Sequence, residues 1–214
     1  MNERDKIVLS SACFPPIAYC AILEENENII IDTHEHFIKQ TYRNRYYILG
    51  ANGLMHLSIP LQKWSNHTSI KDIQIDYTED WQKQHWRSIL SAYGNSPFFE
   101  FYQDELLPLF EQKQKFLLDW NNESLELLQS LLGLSSNWTL SQKYVEKNEA
   151  DMDLRDAFSP KSEFHHPKIK FHFEEYPQVF NDRFDFQPNL SVLDLLFNLG
   201  PETAAYLKSC ITQS

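Results

Sequence analysis

The sequence predicts an α/β or α+β fold, with a mixed β-sheet opened by a βαβ unit, a central helical segment and C-terminal helices. Three observations predict it. Two apolar runs, residues 7–11 and 28–32, bracket a stretch suited to a short helix, so strand, crossover and strand fit in about thirty residues. Between residues 78 and 134 apolar side chains recur at helical spacing, punctuated by capping residues and glycines. Residues 168–174 then alternate, and helical spacing returns after Ser191.

Each element has its own local reason. In the N-terminal sheet region, residues 1–77, the first strand ends at Phe14-Pro15-Pro16 and residues 17–25 form the crossover helix. Residues 45–49 and 54–61 flank Ala51-Asn52-Gly53, a turn of residues that accept positive φ, and predict a hairpin. Residues 70–75 alternate as a further strand, with Ile73 and Ile75 facing one way and Asp72 and Gln74 the other. In the helical region, residues 78–134, Thr78 caps a helix whose first turn holds Glu79 and Asp80, and Gly94 ends it. Ser96-Pro97 opens the next helix, which Pro108 interrupts; Asn122 caps a third, which Gly133 closes. Residues 135–167 lack apolar periodicity and read as a long, partly irregular polar connection. In the C-terminal part, residues 168–214, Ile169, Phe171 and Phe173 face one side of a half-buried strand. Ser191 with Asp194 resembles a capping box, and Gly200-Pro201 separates that helix from a final one ending near Cys210. The whole of 1–214 is read as one domain.

Composition excludes several functions. With 214 residues and a net charge of −11, the chain can bury a core, but it lacks the positive field that non-specific nucleic-acid or anionic-membrane binding needs. Only five glycines are present, and neither a dinucleotide-binding nor a P-loop glycine pattern occurs, so no cofactor is called for. No apolar run is long enough to insert into a membrane, and the N-terminus lacks the order of a secretory leader. Three cysteines without metal spacing fit reduced thiols in a cytoplasm.

Within that acidic chain, His34 to Gly53 gathers cations. If the segment is extended, Lys39, Thr41, Arg43 and Arg45 share one face, a seat for phosphate or carboxylate because arginine donates in pairs. The plainer alternative is a solvated face whose cations pair with the abundant acids. His34 and His36, two residues apart, have a spacing used in metal sites, although a metal would need further ligands such as Asp32 or His165-His166. Trp81, His85, Ile89 and Tyr93 recur every four residues, a slanting stripe that core packing explains except at His85. There a half-buried imidazole is either a proton-transfer group or a core residue bonded to backbone. Cys13 follows the first strand, where α/β folds place ligand sites, and reads more simply as a buried, inert thiol.

Five motifs together resemble the WbqC-like protein family, in its Bacteroidetes-type branch. They are S-S-A-C-F-P-P-I-A-Y at 10–19, E-x-x-x-K-Q-x-x-R-N-R at 35–45, N-G-x-x-x-L-S-I-P at 52–60, W-x-x-x-H-W-x-x-I-x-x-x-Y at 81–93 with S-P-F-F at 96–99, and N-L-S-V-L-D-L-L-F-N-x-G-P at 189–201. The resemblance implies a bacterial surface-polysaccharide (O-antigen) context and a transferase-like or ligand-handling role. Carried over position by position, it implies catalytic Glu35 and His85, and substrate-binding Pro15, Lys39, Gln40, Arg43, Asn44, Arg45, Trp81 and Tyr93. On that reading the partner is an anionic activated small molecule such as a nucleotide-linked sugar, with Arg43 and Arg45 on its phosphate. The alternative is a non-catalytic scaffold for polysaccharide-biosynthesis enzymes. Whether the chain forms a homodimer is left open.

Overall fold

The computed structural model describes residues 5–135, 137–162 and 164–212; Ser136 and Glu163 of the connection, and the first four residues of the N-terminus, lie outside the described residues. Strands β1 (Ile7–Ser10) and β2 (Ile29–Asp32) are apolar at almost every position, as strands covered on both faces are. They pair in parallel, Ile7 beside Ile29 and Ser10 beside Asp32. Helix α1 (Ile17–Glu24) joins them, apolar nearly all round and buried along its length. The expected βαβ opening is present.

The turn between β1 and α1 is strained. Phe14 has φ of 37°, a conformation that costs an aromatic residue on the order of 1–3 kcal/mol. Its ring is held edge-on by Tyr46 at 5.1 Å and Trp120 at 5.2 Å, and that packing over-determines the backbone.

The expected hairpin follows as β3 (Arg45–Gly50) and β4 (Gly53–Ser58), antiparallel, with Gly53 at φ 104° closing the turn. Residues 70–75 depart from expectation. Ile70–Asp72 winds into one 3₁₀ turn, and single bridges tie Gln74 to Phe116 and Ile75 to Leu61. Ile70 and Ile73 are three residues apart, so a 3₁₀ turn aims both into the core where a strand would separate them.

Three helices come next: α2 (Trp81–Tyr93), α3 (Phe99–Glu111) and α4 (Leu117–Leu132). Asp80, not Thr78, precedes α2, because Thr78 donates from its backbone N–H and hydroxyl to Asp76 Oδ1 at 2.8 and 2.6 Å. Pro108 lies inside α3 without breaking it, since the helix ends within one turn. Helix α4 starts five residues before the expected Asn122 cap. Asn121 is tolerated inside it because its side-chain amide donates to Ser11 Oγ and to the Arg43 carbonyl, both at 2.8 Å.

The polar connection is less irregular than its composition predicts. It carries β5 (Trp138–Leu140), parallel to β2, and β6 (Met152–Asp153), parallel to β1. The sheet order is β5-β2-β1-β6, so four carboxyl ends share one edge. Strand β7 (Lys170–Phe171) is the paired part of the predicted 168–174 strand. Beyond it the chain follows α5 (Val192–Leu199), α6 (Thr203–Ser209) and β8 (Ile211–Thr212), which pairs antiparallel with β7. Ser191 caps α5 by accepting from the Leu193 N–H, whereas the Asp194 carboxylate turns inward to Tyr176 and Gln178. Among the described residues no helix is long and apolar enough to cross a membrane.

Candidate functional site

In open parallel sheets, ligands sit outside the carboxyl ends of the strands. Here that edge carries Ser11 after β1, Asp32 to Glu35 at the end of β2, Ser141 after β5, and Asp153 to Arg155 at the end of β6. A cleft of about 470 Å³ opens on it, lined by residues that include His34, Glu35, His36, Tyr144, Lys147 and Arg155.

Asp32, fully buried, organises the floor. Its Oδ1 accepts from the His34 backbone N–H at 2.9 Å and from Ser141 Oγ at 2.9 Å. Its Oδ2 accepts from Arg155 Nη1 at 2.5 Å and from the Val145 N–H at 3.4 Å. Arg155 also donates Nε and Nη2 to the two oxygens of Asp153, at 2.9 and 2.6 Å, while its guanidinium lies over the Tyr144 ring at 4.8 Å. One arginine thus joins the ends of β2 and β6.

A second buried pair forms the wall. Arg43 donates Nε and Nη2 to both carboxylate oxygens of Glu35, at 2.8 and 2.5 Å. Burial pushes the Glu35 carboxyl up to about 7, against the lowering effect of the Arg43 hydrogen bonds. A carboxyl poised there exchanges a proton readily at neutral pH.

The sequence-predicted cationic face does not exist as a face. Residues 38–44 form turns rather than a strand, so the alternation that would align Lys39, Arg43 and Arg45 is absent. Arg43 is turned inward, Arg45 opens β3 opposite Ser58, and Lys39 stands exposed in the turn after Ile38, which lines the cleft. Gln40, at φ 62°, accepts from Lys161 Nζ on the rim of a second cavity of about 360 Å³, which Tyr42 and Tyr47 also line. Asn44 is spent on the Ile59 carbonyl at 3.0 Å.

The other predicted residues serve the interior. Pro15 accepts from the Val192 N–H at 2.9 Å, and Leu190 and Asn189 satisfy the first N–H groups of α1, which closes that helix end to a phosphate. His85 is buried between Trp81, at 4.9 Å, and Tyr46, at 5.5 Å, with Nδ1 3.1 Å from the Tyr46 hydroxyl. Burial pushes its pKa down to about 4, so it is a neutral core imidazole, the plainer of the two readings the sequence allowed. Tyr93 packs on Phe197 at 5.0 Å, and burial raises the Cys13 thiol well above its usual range. None of these lines the cleft.

His36 rests against His67, with ring centroids 5.6 Å apart, and among the described residues no group of three or more His, Cys, Asp or Glu side chains could hold a metal. Sequence reasoning missed Ser141, Asp153 and Arg155 altogether. Their signal was position at a strand end, which three-residue and two-residue strands do not advertise.

The model of the WbqC-like protein family matches residues 11–161 and again 155–206. The chain is also similar to the uncharacterized protein Rv1507c of Mycobacterium tuberculosis, 28% identical over 227 residues that cover 95% of this chain and 97% of that protein. No solved structure matches.

Proposed function

We propose, for a chain that belongs to the WbqC-like protein family, a transferase-like enzyme that binds an anionic activated small molecule, such as a nucleotide-linked sugar, at the carboxyl edge of its parallel sheet. The observation that carries this reading is the convergence of Glu35, His34, Lys147 and Arg155 on one open cleft at that edge. Glu35, its carboxyl pushed up to about 7 by burial, is a titratable group at the wall of the cleft that can exchange a proton near neutral pH. Lys147 and His36 face the anionic part of the ligand, and Lys39 stands in the turn after Ile38, beside the cleft. Arg43 acts on the ligand through Glu35, by fixing the orientation of that carboxyl. In transfer from a phosphate donor, charge grows on the leaving oxygens, and fixed cations stabilise it. The proposed setting is the cytoplasmic side of surface-polysaccharide assembly, where the free, buried cysteines stay reduced.

The test is a melting-temperature titration of the full chain with a panel of nucleotide sugars. A ligand present at a hundred times its Kd adds about 2.7 kcal/mol of stability. At least one donor should raise the melting temperature, and Lys147→Ala should reduce the rise. No shift with any donor would contradict the reading.

A further inference from the structure

The hydrogen bonds beneath His34 fix which of its nitrogens carries the proton. Ser141 Oγ donates to Asp32 Oδ1 at 2.9 Å, so the serine proton is committed there. Ser141 Oγ in turn accepts from the Thr33 N–H at 3.0 Å. The Thr33 hydroxyl donates to the Ser141 carbonyl at 2.8 Å, and a carbonyl can only accept, so that proton is committed as well. His34 Nδ1 lies 2.9 Å from Thr33 Oγ1 and 3.4 Å from Ser141 Oγ, two oxygens with no proton left to give. Nδ1 must therefore carry a hydrogen and donate it to Thr33 Oγ1. The ring's backbone is held too, by its N–H on Asp32 Oδ1 at 2.9 Å. Nε2 is left with an open lone pair, and among the described residues nothing pairs with it. The residue lines the cleft.

We propose that His34 is the base of this cleft: its Nε2 takes the proton from an incoming hydroxyl or amine, while the bound donor is held against Lys147 and Glu35. The inference rests on the proposed transferase reading for its chemistry, but not for the tautomer. In the step, the acceptor's O–H or N–H bond breaks as its lone pair attacks the electrophilic carbon. The proton passes to Nε2, and the bond from that carbon to the leaving phosphate oxygen breaks with its electrons going to the phosphate. The division of labour follows from the geometry. Both oxygens of Glu35 already accept from Arg43, whereas Nε2 accepts from nothing, so the imidazole is the freer acceptor.

The experiment is a two-bond ¹H–¹⁵N correlation spectrum of the full chain, with its histidines ¹⁵N-labelled, at mildly alkaline pH. Wild type should show His34 with a protonated Nδ1 and an unprotonated Nε2. Thr33→Val removes the accepting oxygen and should shift His34 toward the Nε2–H form, while Thr33→Ser keeps the hydroxyl and should keep the wild-type pattern. An Nε2–H ring in wild type, or a pattern that ignores Thr33→Val, would overturn the assignment. With any donor that raises the melting temperature, His34→Gln should keep the rise and lose roughly a hundred-fold or more in donor consumption, the range ascribed to a general base. Undiminished consumption would overturn the base. A panel with no thermal shift would sink the transferase reading alone, and the spectrum would still decide the tautomer.

Discussion

Arg43 and Glu35 face each other in a two-pronged contact, 2.8 and 2.5 Å, in which the arginine is 2% exposed. The guanidinium is thus an internal counter-charge. Removing either partner leaves a buried charge without compensation, which typically costs about 3–5 kcal/mol. Arg43→Ala should lose stability of that order in urea unfolding. Arg43→Met with Glu35→Leu, which removes both charges and keeps volume, should lose markedly less than the sum of the single changes. Simple additivity would show that the pair is not coupled.

The two titrating groups pull stability in opposite directions. His85 has its pKa pushed down to about 4, so its contribution is whole above the ordinary imidazole value of roughly 6.5 and disappears as pH falls through 4. The difference of about 2.5 pH units corresponds to about 3 kcal/mol. His85→Gln should therefore flatten the loss of stability in that acid window, as read from urea midpoints across pH.

Glu35 has the reverse sign. With its folded pKa near 7, its contribution is whole below the ordinary carboxyl value of roughly 4.3 and is lost as pH rises through 7. A ¹³C titration of the glutamate carboxyls should show one group titrating near neutrality that is absent in Glu35→Gln. A Glu35 titrating at the ordinary value would contradict the account of its burial.

Asp32 accepts from four donors contributed by the segments after β2, β5 and β6. Asp32→Ala should cost at least about 3 kcal/mol, because it strips Arg155 of one partner and frees Ser141. Hydrogen exchange should report the loss first at β5, the short edge strand that Ser141 anchors.

Gly200 and Gly133 separate two reasons for glycine. Both have positive φ, 54° and 64°, but a Cβ at Gly200 would meet the Phe98 ring at 2.5 Å, whereas Gly133 has open space. Gly133→Ala should cost about 1 kcal/mol from conformation alone, and Gly200→Ala distinctly more, measured by the same unfolding midpoints.

The parts of this fold legible in the sequence are those that carry local signals over several residues. The parallel pair, the hairpin around Gly53 and helices α2 and α4 announce themselves by apolar runs, a turn triplet and closing glycines. Strands β5 and β6 do not, because three or two residues show no period and their pairing partners lie more than 100 residues away. That gap hid Ser141 and Arg155, and with them the edge of the sheet where the cleft forms. Charge misled for a related reason. Lys39, Arg43 and Arg45 are neighbours in sequence, but Gln40 takes a left-handed conformation between them, and the segment turns inward. Glu35 and Arg43 stand in one motif, but their spacing alone does not mark them as partners of each other rather than of a ligand.

The central claim is that an anionic donor seats at the carboxyl edge of the four-stranded sheet. A crystal structure of the protein soaked with a mixture of nucleotide sugars tests it most directly. Ligand density is expected in the cleft, against Lys147, with the donor's reactive carbon near His34 Nε2 and the Glu35 carboxyl. Density confined to the second cavity, lined by Tyr42, Tyr47 and Lys161, with the cleft unchanged, would contradict it.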